Sequence, residues 1–332
     1  MTTFSVLTGT VITELLAGQE RVVIDRVREA YLAHDEDDSV NPDSYFLRFP
    51  AKPDSRIIAL PAYLGGDVNT AGIKWISSFP ANVTKGEPRA SAVLILNDYA
   101  TGRPFALLEG AGISAVRTAA SAALAATALT TAQPATVGVV GGGVIARTIC
   151  QYLYAAGVAP AEIRCHDIDP MSAAALTSHL RERYAVTAQE TELLAALDCD
   201  LVLFATTALS PYVPSEFRFR AGQLVLNISL RDLAPQTLLA ADNVFDDVEH
   251  CMKANTSPHL AEQLTRGRAF VTGTLAGVLR GRVSLAPDRP TVFSPFGLGI
   301  LDLAVGHWLY ERAVLDDRLV RLPDFFGESR RW

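Results

Sequence analysis

The stretch Thr136-Val137-Gly138-Val139-Val140-Gly141-Gly142-Gly143-Val144-Ile145-Ala146 carries a β-branched run into three glycines, and a helical pattern continues from Val144 to about Ala156. That order predicts a strand, a tight turn and a helix. Gly141, Gly143 and Ala146 take the three small positions of a G-x-G-x-x-A pattern. The first lets the chain turn sharply, the second lets backbone approach a pyrophosphate, and the third lets the helix pack close to the strand. The helix N-terminus offers free N–H groups to the anion. The backbone of Gly141, Gly142, Gly143, Val144 and Ile145 is therefore the candidate phosphate cradle.

The residues that follow complete a dinucleotide-binding unit. Ala161–Asp167 reads as a second strand ending on an acid, about 20–25 residues past the glycines, where a carboxylate meets the ribose hydroxyls. Asp167 favours NAD over NADP, because a 2′-phosphate would meet a like charge. Beyond it the pattern gives a helix near Met171–Tyr184 and strands at Leu201–Ala205, Leu224–Ile228, Val244–Phe245 and Thr291–Phe293, with a helix near Pro258–Leu264. Alternating strands and helices predict a Rossmann-type, doubly wound parallel sheet.

Upstream the pattern differs. Residues 1 to about 33 read as two helices from their apolar spacing. Short strands are expected at Tyr45–Phe49, Arg56–Leu60, Gly72–Ser77, Ala90–Asn97 and Phe105–Glu109, separated by turn signals, as in a mainly antiparallel sheet. An Ala-rich helix from about Ser114 to Thr130 leads to Gln133-Pro134, read as a linker. A last helix, from about Leu298 to Leu315, is expected to return to the first module. The organisation is thus α/β: a discontinuous α+β domain (1–131 and 296–332) around a nucleotide-binding domain (132–295).

Bulk composition narrows the function classes. The chain has 332 residues, 49% hydrophobic and 20% charged, with a formal charge of −7, which argues against a general nucleic-acid or membrane-surface binder. Cys150, Cys165, Cys199 and Cys251 are widely spaced and read as core fillers. No metal cluster stands out. No signal peptide precedes the first helix pattern, and the apolar run Ala119–Leu129 is short of the ~20 residues that span a bilayer. The expected location is the cytoplasm. His250, His259 and His307 read as ordinary polar or core histidines.

Several segments together resemble the ornithine cyclodeaminase/μ-crystallin family across almost the whole chain. They are Ala71–Trp75, Ser78–Asn82, Gly110–Ala120 and the Gly-Gly-Gly turn. Four others resemble one branch of it: Asn41–Pro50 (NPDSYFLRFP), Asn227–Leu233 (NISLRDL), Lys253–Leu260 (KANTSPHL) and Phe293–Val305 (FSPFGLGILDLAV). The resemblance implies a homodimer joined through the substrate-binding domain and an NAD-dependent oxidation. The branch acts on N-(2-amino-2-carboxyethyl)-L-glutamate, giving 2-oxoglutarate and L-2,3-diaminopropionate in siderophore or other secondary-metabolite biosynthesis.

Arg48, Lys74 and Arg117 match positions where family members bind the substrate carboxylate or steer the amine, and Lys74 is also a catalytic candidate. Arg suits bidentate carboxylate recognition, and Lys supplies a point charge near the reacting carbon. Lys74 and Arg117 stand in apolar stretches, where an unpaired charge is costly. Asp232 matches the family's catalytic Asp, able to activate water and move protons. The family's Gly-Gly-Asp turn is here Leu230-Arg231-Asp232, which makes Arg231 a candidate carboxylate contact. Asp232 could instead form an Asx turn or cap the next helix. Lys253 is a branch-specific candidate for a distal carboxylate. Thr118, Thr206, Ser294 and Gly297 are candidates for the cofactor, with turn or capping roles as the alternative. Competing readings are an ornithine cyclodeaminase, a ketimine or imino-acid reductase, and a non-catalytic nucleotide-dependent binding protein.

Overall fold

The computed structural model describes residues 3–130 and 132–327. The chain divides into two compact units, unit 1 (Met1–Arg117 and Leu298–Trp332) and unit 2 (Thr118–Gly297). Unit 1 begins with β1 (Phe4–Leu7), α1 (Gly9–Leu16), α2 (Glu20–Asp35), β2 (Ser39–Val40), β3 (Tyr45–Phe49), β4 (Lys52–Leu64) and β5 (Thr70–Ser78). A 3-10 turn at Pro80–Lys85 leads into β6 (Ala90–Asp98) and β7 (Pro104–Glu109). The chain passes from unit 1 to unit 2 within α3 (Ala111–Leu129), after Arg117.

Unit 2 contains β8 (Thr136–Val140), α4 (Val144–Ala155), β9 (Glu162–His166), α5 (Pro170–Tyr184), β10 (Thr187–Glu190), α6 (Leu193–Leu197), β11 (Leu201–Phe204) and β12 (Leu224–Asn227). It continues through α7 (Pro235–Leu239), β13 (Asp242–Phe245), α8 (Val248–Cys251), α9 (Ser257–Thr265), β14 (Val271–Thr274), α10 (Leu275–Leu279) and β15 (Thr291–Ser294). Then α11 (Gly299–Leu315) and β16 (Val320–Leu322) complete unit 1.

In unit 1, an eight-stranded sheet runs in the order β16-β1-β7-β6-β5-β4-β2, with β3 also paired to β4. Pairing is antiparallel from β3 through β7, as the short alternating strands predict. The N-terminal expectation is corrected in part. Phe4–Leu7 is a strand that pairs in parallel with β7 and antiparallel with β16, and the helices begin only at Gly9. Four residues carry too little pattern to reveal a strand whose partners lie about a hundred and three hundred positions away.

Opposite residues of an antiparallel pair share a face. Lys74 therefore lies with Leu60 and Leu94 on the face that α11 covers, and Leu94, Leu96 and Leu108 have no exposed surface. Gly306 lets the helix settle there, since a Cβ at that position would stand 2.3 Å from Leu94 Cδ2. The opposite face carries Tyr45, Ala59, Trp75 and Val93 in one row.

In unit 2, all eight strands run parallel in the order β10-β9-β8-β11-β12-β15-β13-β14. Strands β11, β12, β13 and β15 are buried at every position, the continuous burial of a sheet covered on both faces. The chain winds outward from β8 to β10 and resumes at β11 on the other side of β8. That reversal makes the carboxyl ends of β8 and β11 the topological switch point, where open α/β sheets bind ligands.

Candidate functional site

The glycine turn lies at that switch point in unit 2. Gly141 has φ +100°, and a Cβ there would stand 2.5 Å from the Ala205 carbonyl oxygen at the end of β11. Gly143 differs: its φ is −79°, and a Cβ would meet nothing within 4 Å. The chain needs glycine at 141 to fold, whereas at 143 the missing side chain leaves open space at the start of α4. No side chain caps that helix, so the first N–H groups, from Val144 onward, are available to an anion. Ala146 is fully buried, as close packing of helix on strand requires.

Asp167 follows β9 directly. One carboxylate oxygen accepts the Gly142 N–H at 2.6 Å and the other accepts the Asp169 N–H at 2.9 Å. A carboxylate oxygen offers more than one acceptor position, so this anchoring leaves capacity for a diol. Ile168 and Met171 stand exposed beside it, an apolar ledge suited to a purine face. Open turn, uncapped helix and anchored acid fit a dinucleotide carrying a free ribose diol.

The carboxyl ends of the neighbouring strands hold a second group. Asp232 has no exposed surface, and its carboxylate accepts the hydroxyls of Thr206 and Ser229, each at 2.5 Å. The cap of α7 is Ala234, so the helix-capping alternative for Asp232 is not what forms. Burial first, and then the Asp232 carboxylate beside it, raise the Tyr212 phenol well above its ordinary range. The turn bringing Asp232 inward is strained, for Leu230 stands at φ +78°. The Leu230 carbonyl accepts the Ser257 N–H at 2.7 Å, and Arg231 Nη2 donates to the Ala254 carbonyl at 2.7 Å. Lys253 is half-buried beside Ala254, so this pair of loops carries both candidate cations of unit 2.

Ser294 ends β15 and is buried, its hydroxyl accepting Asn227 Nδ2 at 3.0 Å. Asn227 Oδ1 is buried with no partner, an acceptor suited to an amide N–H such as that of a nicotinamide carboxamide. The turn holding Gly297 is fixed by a residue the sequence reading missed. Asp246, just past β13, accepts the N–H groups of Phe296 at 2.9 Å and Gly297 at 2.7 Å. Burial raises its carboxyl above the ordinary range, against those donors. An acid directly after the apolar pair Val244-Phe245 was the available signal. Thr118 lies one residue past Arg117 on α3, half-buried.

In unit 1, Lys74 on β5 and Arg117 on α3 converge on another missed residue, Asp302 of α11. Lys74 Nζ donates to Asp302 Oδ2 at 2.7 Å, and Arg117 Nε donates to Oδ1 at 3.3 Å. Lys74 and Asp302 are fully buried, and burial, followed by Arg117, lowers the ammonium to about 8 despite Asp302. Arg48 is not part of this cluster: it is exposed on β3, its guanidinium 5.2 Å from the Phe46 ring centroid, and makes no hydrogen bond or ion pair to Lys74, Arg117 or Asp302. The four cysteines are buried and free, and among the described residues no group of His, Cys, Asp and Glu is arranged to hold a metal ion.

Known proteins resemble the chain over nearly its whole length. The chain is 28% identical over 311 residues to N-((2S)-2-amino-2-carboxyethyl)-L-glutamate dehydrogenase of Staphylococcus aureus (strain NCTC 8325 / PS 47), covering 88% of this chain and 90% of that one. The crystal structure of CmnK superposes with a TM-score of 0.89 at 26% identity, covering 99% of this chain and 100% of that one. An archaeal alanine dehydrogenase dimer with bound NAD gives a TM-score of 0.86 at 25% identity, over 97% of this chain and 100% of that one. The model of the ornithine cyclodeaminase/mu-crystallin family matches residues 13–317, and the chain belongs to that family.

Proposed function

We propose that this protein oxidises the CH–NH bond of N-(2-amino-2-carboxyethyl)-L-glutamate with NAD and releases L-2,3-diaminopropionate and 2-oxoglutarate. It is an NAD-dependent oxidoreductase, as its relatives are. The observation carrying a catalytic reading is Asp232, a fully buried carboxylate held by two hydroxyls at the carboxyl edge of the parallel sheet. A binding protein without turnover has no need of an acid so placed. The substrate follows the Staphylococcus aureus relative, and the cations Lys74, Arg117, Arg231 and Lys253 suit a molecule with three carboxylates.

The roles divide by chemistry. Unit 2 binds NAD, through the Gly141–Ile145 backbone and Asp167, with Thr118, Thr206, Ser294 and Gly297 toward the nicotinamide end. NAD⁺ bound there would supply the hydride acceptor for the glutamate Cα. Lys74 and Arg117 hold a substrate carboxylate, and Arg231 and Lys253 receive distal ones. The nitrogen loses its proton as the Cα–N bond becomes an imine, and Asp232 is the acceptor. Once that proton has passed to solvent, Asp232 takes another from the water that adds at Cα. Returned to nitrogen, that proton completes a carbinolamine; its hydroxyl proton then moves by way of Asp232 to nitrogen as the C–N bond breaks, leaving the ketone of 2-oxoglutarate and the free amine of diaminopropionate. The balance is one conjugate, one NAD⁺ and one water to one each of the two products, NADH and a proton.

The same reading makes the protein a cytoplasmic homodimer joined through unit 1, in siderophore or other secondary-metabolite biosynthesis. Support for the dimer comes from the sheet face opposite α11. A one-sided antiparallel sheet alternates apolar and polar residues, yet Tyr45, Leu47 and Trp75 are 72%, 46% and 40% exposed there, among half-buried Ile73, Val93 and Ile95. Mass spectrometry of the products tests the reaction. The expected result is 2-oxoglutarate and diaminopropionate in equal amounts; unconsumed conjugate would overturn the reading.

A further inference from the structure

Three elements of unit 1 contribute to one buried cluster: β5 gives Lys74, α3 gives Ser114 and Arg117, and α11 gives Asp302. Ser114 Oγ accepts Lys74 Nζ at 3.2 Å and Arg117 Nη2 at 3.4 Å, so the hydroxyl and the carboxylate together orient both cations. Buried charge persists when it is paired. Here two cations share one anion, and the cluster keeps one positive charge whenever Lys74 is protonated. A purely structural ion pair would be matched one to one.

We propose that Asp302 is a positioning residue that aligns Lys74 and Arg117 and fixes the buried cluster at a single positive charge, so that it accepts one carboxylate group and no more. This rests on the reading of those cations as a substrate-carboxylate site. Asp302 acts through the cations and is not itself a contact of the reacting atoms. The charged groups facing the Lys74 ammonium are Asp302 from α11 and Arg117 from α3. Burial and Arg117 lower its protonation and Asp302 opposes them, leaving it near 8, where an arriving carboxylate completes its pairing.

The test follows the Lys74 titration by nuclear magnetic resonance on the full chain labelled at lysine Cε, with Lys74→Arg identifying the signal. Asp302→Asn keeps the size of the side chain and removes its charge, and should lower the midpoint by at least one pH unit, a tenfold change in proton affinity. Acetate, a lone carboxylate, should raise the wild-type midpoint by a comparable amount and saturate at one site. A midpoint unmoved by Asp302→Asn, or by saturating acetate, would overturn the proposal. Should Asp302→Asn not fold, Asp302→Glu, which keeps the charge and displaces the carboxylate, takes its place: it should shift the Lys74 midpoint, and an unmoved midpoint would overturn the proposal. Neither measurement involves turnover, so a protein that ignores the glutamate conjugate yet shows both shifts contradicts the proposed substrate and supports the role of Asp302.

Discussion

Asp232 and Lys74 are both buried, yet their environments differ in kind. Asp232 receives two neutral hydroxyls, which hold a carboxylate without neutralising it. Lys74 shares an anion with a second cation, so its charge is the more easily lost. Asp232→Asn keeps the shape and removes the base; kcat should fall by about 10²–10⁴-fold, while NAD⁺ affinity measured by fluorescence quenching stays within about twofold. In its proposed role Lys74, lowered to about 8, would bind a substrate carboxylate in its protonated form. Hence kcat/KM should decline as pH rises through about 8, and Lys74→Arg should abolish that limb, because arginine stays protonated. A decline persisting in Lys74→Arg would assign the titration to another group. The sequence exposed Lys74 and Arg117 because each stands as a lone charge in an apolar run. Asp302 stands the same way in Leu298–Val305, and the rule that found the cations points equally to their anion.

At the level of elements, the strand-turn-helix at Thr136–Ala155 was legible because its physics is local: β-branched residues, glycines, then helical spacing. The two outer glycines separate folding from binding. Gly141→Ala should destabilise the protein by about 1–3 kcal/mol, through its left-handed backbone and the Ala205 carbonyl. Gly143→Ala should leave the thermal midpoint nearly unchanged and weaken NAD⁺ binding by about tenfold or more, since the added methyl enters open space proposed for the cofactor phosphate. Equal loss of stability in the two variants would contradict this division. Asp167→Ser should raise NADPH use relative to NADH, read as a ratio of kcat/KM values. Strands β1, β10, β14 and β16 escaped the sequence reading for one reason. Each has three or four residues at or near a sheet edge, and pairing partners define it more than its own pattern does.

For the whole molecule, the α/β class and the parallel sheet were readable because alternating strands and helices leave few topologies. Family membership was readable because its motifs span the chain. The arrangement of charges in three dimensions was not, since Lys74 and Asp302 are 228 positions apart and nothing local links them. The apolar outer row of unit 1 gives a prediction at this scale. Sedimentation should report twice the 35.7 kDa chain mass, and Trp75→Lys should shift the protein toward the monomer. A wild-type chain that sediments as a monomer would remove the dimer from the account. The central claim is the reaction, and the most direct measurement is NADH formation from NAD⁺ with N-(2-amino-2-carboxyethyl)-L-glutamate, set against L-ornithine. The account predicts NADH accumulating in step with 2-oxoglutarate from the conjugate and none from ornithine. Proline and ammonia from ornithine without net NADH, or no turnover of the conjugate, would contradict it.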